Sequence, residues 1–347
     1  MTTKVLFFLV IITTSQADII VNAARPITHK VLVNRIRTQD GANQAKTFGT
    51  ASQETNIVDS INEIWAQAGV RVIFSDYSSY ESAFAYDNNG QDPDTVRPQA
   101  HLSTMLNLPD APTTPSTTDI EMFFVEIVPG FPKISEYSTN GLARLDRPGT
   151  AVQVGDHLPG FQNGRDAIAG VMAHEIGHNL GLDHTDSGIA NLMSPNGTSN
   201  QITQDQIDKI FTNDIGIDGF DLLVPLTYSE WATANNLPLS PDGDNDLDGL
   251  ADLTEFALGL NPSTPDYDAP RPIPTPGNTL TWTIPKSPGG IAEGLIYEIQ
   301  VSSNLVTWSP AGTPGTNSTL LSDNDSEISA RLDLDEQAFF RLSVQEP

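Results

Sequence analysis

The chain has 347 residues, a length that favours two or three structural units over one compact domain. Its 44 acidic and 17 basic residues give a formal charge of −27, which argues against binding nucleic acid or anionic membranes and is compatible with binding divalent cations. The sequence has no cysteine, which excludes disulfides and thiol chemistry.

The N-terminus has the order of residues that is typical of a secretory signal. Lys4 precedes an unbroken apolar run at 5–12, and small or polar residues lead to Ala17. We therefore predict a signal peptide over 1–17, with a buried N-terminal strand as the alternative. The apolar run is too short for a membrane span, and no other stretch approaches that length. Export without cysteines favours a bacterial protein that is secreted or held at the cell surface.

The next elements predict a β-α-β unit. Residues 30–37 alternate apolar and polar side chains, as a half-buried strand does. Apolar residues recur at helical spacing over 53–68, Gly69 ends the helix, and residues 70–74 read as a second strand. A mixed sheet covered by helices, and hence an α+β fold, follows from this opening.

Farther along the chain, residues 77–118 are polar and rich in turn-forming residues, so we expect mostly loop there. Apolar patterns then resume. The predicted strands are 120–128, 141–145 and 151–154, and the predicted helices are 166–180 and 204–211.

A metal-binding pattern, HEIGHNLGLDH, lies within the first of these helices. His174 and His178 are four residues apart, so both imidazoles can face one metal. Glu175 can reach a water on that metal, and Gly181 lets the backbone leave the helix so that His184 can become a third ligand. Three histidines with one open position are the pattern of a catalytic zinc. Three ordinary histidines on a packed helix are the alternative.

The same pattern resembles the metzincin signature, HExxHxxGxxH. Met193 follows at the distance of the metzincin Met-turn, and residues 179–181 (NLG) and 141–143 (GLA) are most similar to the reprolysin (adamalysin) branch. The resemblance covers about residues 28–215. Thr185 departs from it, because reprolysins usually have Asp there, and the disulfides of that branch are absent.

This resemblance implies a catalytic domain at 28–222 with a twisted mixed sheet and an active-site helix. It implies zinc as cofactor, Glu175 as general base and hydrolysis of a peptide or protein substrate. The substrate would lie extended beside an edge strand formed by Leu142, Ala143 and Arg144. We expect the remaining histidines to be exposed, non-ligand residues; they are His29, His101 and His157.

An acidic segment at 228–262 contains the twelve-residue pattern DNDLDGLADLTE, which matches an EF-hand loop. Two short helices flank the loop, and the segment resembles calcium-binding linkers of dockerin or thrombospondin type-3 kind. Calcium is thus a predicted second cofactor, with a solvated acidic linker as the alternative. The candidate calcium ligands are Asp244, Asp246, Asp248, the Leu250 carbonyl, Asp252 and Glu255.

The C-terminal part reads as a Pro-rich linker at 263–277 and a small all-β sandwich at 278–347. Its predicted strands are 280–284, 297–301, 328–332 and 339–344. This sandwich could serve attachment, substrate binding or export sorting.

For the whole chain we predict an active extracellular endopeptidase. The alternatives are a surface binding or adhesion protein with an inactive catalytic domain, and a processing peptidase of narrow specificity. The oligomeric state is not indicated.

Overall fold

The computed structural model describes residues 20–21, 25–90, 98–113, 116–128, 141–145, 147–154, 164–186, 189–195, 199–213, 221–266, 269–333 and 338–347. The predicted signal peptide and His157 lie outside these residues. Within them, none of the helices combines the length and apolarity that a bilayer crossing needs.

The first unit combines strands and helices around one mixed sheet. In chain order its elements are β1 Ile20–Val21, β2 His29–Asp40, β3 Asn43–Gln44, α1 Ala51–Trp65, β4 Val70–Phe74, β5 Ser78–Glu81, α2 Ala83–Asp87, α3 Pro98–Leu106, β6 Asp119–Phe124, β7 Gly141–Ala143, β8 Thr150–Val152, α4 Gly164–Asn179, β9 Ile202–Thr203, α5 Gln204–Asn213 and β10 Val224–Pro225.

The long strand β2 organises the sheet. It pairs in parallel with β4, β5 and β6, and antiparallel with β3 and β10. The sheet continues through β8, parallel to β6, and ends at β7, antiparallel to β8. Helices α1 and α4 pack together against the sheet, and their buried side chains include Ile61, Trp65, Met172 and Ile176.

The region 77–118 is more ordered than its polar composition predicts. It contains β5, α2 and α3 rather than mostly loop. The Ser82 side chain caps α2 by accepting from the Ala85 N–H, and Asn88 ends it in the left-handed conformation. In α3, Leu102 and Met105 are buried against Phe123. Short helices leave too little periodicity for a sequence pattern to reveal them.

His29, expected to be exposed, is instead buried where β2 begins.

The second unit follows directly. Its elements are α6 Tyr228–Ala234, α7 Asp252–Leu258, β11 Ile273–Thr275, β12 Thr279–Pro285, α8 Pro288–Ala292, β13 Ile296–Ser302, β14 Ser309–Pro310, β15 Ser318–Asp323, β16 Glu327–Asp333 and β17 Phe339–Gln345. One antiparallel sheet has the order β11-β12-β16-β15 and the other has the order β14-β13-β17. The four predicted strands correspond to β12, β13, β16 and β17. Their buried side chains form one core with α6 and α7.

The two units are joined without a free linker. Strand β10 lies beyond residue 222 and pairs with the start of β2. Leu226, Tyr228 and Trp231 follow at once and are buried in the core of the second unit. Strand β11 falls within the predicted Pro-rich linker, where it pairs with β12. The overall class is α+β with a β-rich tail, as predicted, but the strands of the tail share one core with α6 and α7.

Candidate active site

The end of helix α4 directs three histidines towards one point. The helix closes with hydrogen bonds from Leu180 N–H to the Ile176 carbonyl and from Leu182 N–H to the Gly177 carbonyl. Between them Gly181 has a φ of 90°, a conformation that residues with a Cβ rarely adopt. The chain therefore turns sharply and returns to the helix face at His184.

The three imidazoles converge through their Nε2 atoms. The Nε2 atom of His184 lies 3.1 Å from Nε2 of His178 and 3.2 Å from Nε2 of His174. A tetrahedral zinc with Zn–N bonds of 2.0–2.1 Å holds its ligand nitrogens about 3.3 Å apart. Both distances are therefore compatible with a zinc ion held by the three rings.

The opposite ring nitrogens fix the tautomers. His174 Nδ1 donates to the Leu192 carbonyl at 2.7 Å, and His178 Nδ1 donates to the Leu182 carbonyl at 2.6 Å. Burial lowers the pKa of both histidines, that of His178 to about 4, so both rings are neutral near pH 7. Neutral rings that donate through Nδ1 present bare lone pairs at Nε2. Both lone pairs face the His184 ring, an arrangement that is suited to hold a cation among the three histidines.

The turn around Met193 packs beneath these ligands. Met193 is fully buried, and a Cβ added at Gly177 on α4 would lie 2.6 Å from its sulfur. The Met193 carbonyl accepts from the Thr185 N–H, beside the third histidine. Asn191 holds the turn: its amide exchanges hydrogen bonds with the Gln206 amide, and its Oδ1 also accepts from the Met193 N–H. The turn thus connects α5 to the metal-facing histidines.

The side chain of Glu175 extends from α4 to the edge strand β7. Its side chain is buried, and burial raises its pKa to about 8. A Cβ added at Gly141, the first residue of β7, would lie 2.4 Å from the Glu175 Oε1. Only a glycine leaves room for this carboxylate, so β7 and Glu175 are positioned together. A carboxylate whose pKa lies near neutrality is suited to accept and return a proton.

The residues predicted to bind substrate lie at this edge. Leu142 and Ala143 belong to β7, and Arg144 follows them at the turn towards β8. The sequence did not single out Asn179, which organises this turn. Its amide Nδ2 donates to the carbonyls of Arg144, Arg147 and Gly149, and its Oδ1 accepts from the Thr150 hydroxyl at 2.6 Å. The one available indication was an amide directly after the second histidine of the motif.

The acidic loop is a second cluster, far along the chain. Carboxylate oxygens of Asp244, Asp246 and Asp248 all lie within 4.8 Å of one another. Asp252 and Glu255 are outside that group but buried beside it, 1% and 0% exposed. Both Glu255 oxygens lack a hydrogen-bond partner among the described residues. Burial, reinforced by the neighbouring aspartates, raises its pKa to about 9. Leu250 follows Gly249, the turn residue of the loop, which has a φ of 95°.

Comparisons with known proteins agree with the geometry around the histidines. Residues 51–185 match the family model described as metallo-peptidase family M12B, reprolysin-like. The first unit is a metzincin-type metallopeptidase domain. The match includes all three histidines and Glu175, and the family implies a catalytic zinc. It ends before the Met193 turn and does not reach the second unit.

A search among curated proteins found no match. Among solved structures, the archaemetzincin of Methanopyrus kandleri resembles this chain at 14% sequence identity and a TM-score of 0.33. The alignment covers 53% of this chain and 95% of the archaemetzincin chain. The metzincin unit is therefore placed in its family by its own residues and by the family match.

Proposed function

We propose that the chain is a secreted zinc endopeptidase in which His174, His178 and His184 hold the metal. The observation that carries this proposal is the convergence of three histidine Nε2 atoms on the helix that also bears a buried carboxylate. When bound, zinc supplies a Lewis acid that polarises a peptide carbonyl and makes water more acidic. The Glu175 carboxylate accepts the proton of the attacking water and passes it to the leaving amine nitrogen.

The substrate peptide is proposed to add to the edge of the sheet along Leu142, Ala143 and Arg144. Main-chain hydrogen bonds to an edge strand hold an extended peptide without reading its sequence, which suits cleavage inside a chain. The contact between Gly141 and Glu175 supports this arrangement, because it brings the general base to the start of that strand. The N-terminal residues 1–17 would direct export and then be removed.

The test is cleavage of a mixed peptide library by zinc-loaded protein, compared with a Glu175→Gln variant. We expect zinc-dependent cleavage at internal bonds and a loss of roughly 100- to 10,000-fold in kcat/KM for the variant. Zinc content, measured by elemental analysis, should be equal in both proteins. Absence of cleavage by the zinc-loaded wild type would favour the binding or adhesion protein. Cleavage of a single sequence would favour the processing peptidase.

We also propose that the acidic loop binds calcium. Asp244, Asp246 and Asp248 provide clustered oxygens, and the Leu250 carbonyl, Asp252 and Glu255 complete the EF-hand pattern. The buried, unpartnered Glu255 carboxylate supports this proposal, because a charge in that position is costly without a cation. Calorimetric titration with CaCl2 tests it, and no binding heat would contradict it.

A further inference from the structure

Helix α7 lies where the acidic loop meets the core of the second unit. Glu255 extends from it towards the acidic loop, with both carboxylate oxygens buried and unpartnered. The next two residues, Phe256 and Ala257, are buried in the apolar core instead. One short helix therefore presents a candidate cation ligand and a core contact at adjacent positions.

The β-sandwich holds the end of α7 through its backbone carbonyls. Ser287 Oγ donates to the Phe256 carbonyl at 2.7 Å, and Tyr297 Oη donates to the Ala257 carbonyl at 2.7 Å. Gly289 allows the closest approach, because a Cβ there would lie 2.7 Å from the Phe256 ring. The position of α7 therefore determines where the sandwich attaches.

The metzincin unit reaches the same helix through α6. The Phe256 ring packs on Trp231 and Tyr228, with centroids 5.4 and 5.7 Å away. Helix α6 is in turn connected to β2 by a salt bridge of 2.5 Å between Glu230 and Lys30. Leu226 N–H also donates to the Thr28 carbonyl. Helix α7 thus lies between the β-sandwich and α6, the helix that contacts the metzincin unit.

Asp266, which lies outside the twelve-residue motif, closes the acidic loop from the side of the sandwich. Its N–H donates to the Asp248 Oδ2 at 2.8 Å, and its carboxylate accepts from the Asn261 N–H at 3.0 Å. The Asn245 amide binds the Pro262 carbonyl, so the chain after α7 folds back over the loop. The Asp266 charge also acts on Glu255. An additional carboxylate suits a cation that takes six to eight oxygen ligands.

We propose that a calcium ion in this loop fixes α7 and thereby fastens the β-sandwich to the metzincin unit, with Asp266 as an additional site residue. This inference rests on the calcium binding proposed above. A bound cation offsets the charge of the Glu255 carboxylate, so this side chain can remain ionised while it points into the acidic loop. The adjoining Phe256 and Ala257 then keep their contacts with α6 and with the sandwich. Without a cation, repulsion among the carboxylates opposes the same position of α7.

The test uses the full-length, zinc-loaded protein in calcium-depleted buffer. Calcium binding is measured by calorimetry, and the junction by hydrogen exchange in peptides that contain Lys30 and Tyr297. Amide hydrogens that exchange only when the junction opens report on this contact. At a calcium concentration 100 times the Kd, we expect their exchange to slow by about 100-fold in both peptides. If calcium binds but hydrogen exchange does not slow, the proposed fastening of the two units is wrong, although the proposed calcium binding stands. No binding would overturn both, and neither result bears on zinc-dependent cleavage.

Two variants assign the residues. Asp266→Asn should weaken calcium binding by roughly tenfold or more. The calcium concentration at which hydrogen exchange slows should rise by the same factor. Asp325→Asn, at an exposed turn of the sandwich, is the matched control and should bind as the wild type does. Glu255→Gln should fold, because a neutral amide avoids the buried charge, yet lose the calcium response. Wild-type affinity in Asp266→Asn would exclude Asp266 from the site.

Discussion

Buried polar side chains differ in this chain by whether the protein supplies them with partners. The Asn179 amide binds three carbonyls and accepts from one hydroxyl. Glu255 has no hydrogen-bond partner among the described residues, and burial raises its pKa. Because a buried carboxylate without partners is costly, it marks a place where a ligand or a proton is expected. Partnered residues such as Asn179 instead determine local geometry.

His29 should make stability depend on pH. It packs edge-on against Phe211, and burial lowers its pKa from 6.5 to about 4. Between those pH values the unfolded chain binds a proton that the native chain does not. The stabilisation is therefore complete above pH 6.5 and decreases by about 3 kcal/mol as the pH falls to 4. Urea unfolding of the wild type and His29→Gln should show their difference shrinking by that amount. A difference independent of pH would contradict the prediction.

Asn179→Ala should weaken both stability and substrate binding. The change leaves buried carbonyls of the β7–β8 turn without a donor, which costs about 2–4 kcal/mol. Because the turn positions the edge strand, kcat/KM should also fall by roughly 10- to 100-fold, mainly through KM. Asn62→Ala is the matched control, since its amide joins α1 to Val72 in β4, away from the proposed site. Equal kinetic losses in both variants would indicate a purely structural role.

At the scale of elements, helix α4 is positioned by small residues at its contacts. Gly177 lies on the Met193 sulfur, and Gly141 on β7 lies on the Glu175 carboxylate. Each contact is closer than a side chain with a Cβ would allow. The helix, the Met193 turn and the edge strand therefore approach one another as one packed group, and a methyl group at either contact must displace part of the site.

Gly141→Ala should reduce activity while leaving the metal in place. The added methyl would meet the Glu175 side chain 2.4 Å from Oε1, so the general base must move. We expect kcat to fall by roughly 100-fold with unchanged zinc content. Gly170→Ala on α4 is the control, because its nearest neighbour is an Asn200 oxygen at 3.3 Å. That variant should keep its activity, because only the Asn200 side chain, away from the proposed site, has to shift. Unchanged kcat in Gly141→Ala would contradict the proposed role of the contact.

At the scale of the whole molecule, the two cores meet along one short segment. Residues 224–225 complete the metzincin sheet, and from Leu226 onward the side chains enter the second core. The salt bridge between Lys30 and Glu230 crosses the same boundary. A cut at the predicted domain end, residue 222, would therefore remove part of the sheet as well as the tail.

A chain ended after residue 222 should be less stable than the metzincin unit in the full chain. It lacks β10 and the Glu230 partner of Lys30. A loss of about 2 kcal/mol corresponds to a Tm lower by roughly 4–8 °C at this size. Thermal loss of zinc-dependent cleavage measures the effect in both proteins. Equal midpoints would mean that the second unit does not support the first.

Local and short-range features were predictable from the sequence, and long-range ones were not. The histidines of the metal motif are four and six residues apart on a helix and its exit turn, so pattern alone brought them together. Strands β12, β13, β16 and β17 alternate clearly and were found within one residue, whereas β11, β14 and β15 were not predicted. Asn179, Gly141 and Asp266 escaped prediction, because their partners lie on other elements and no periodicity connects them. Helices α2 and α3 were missed because they are too short to show a clear period.

The pairing of β10 with β2 also sets an order of events during synthesis. Lys30 is among the first folded residues to leave the ribosome, whereas its partner Val224 follows only after nearly the whole metzincin sequence. At translation rates of 5–20 residues per second, that interval is roughly 10–40 s. During it the first backbone groups of β2 on that side have no neighbouring strand, and an unpaired strand end can capture another chain. Chaperones that bind the incomplete chain would therefore act mainly during this interval.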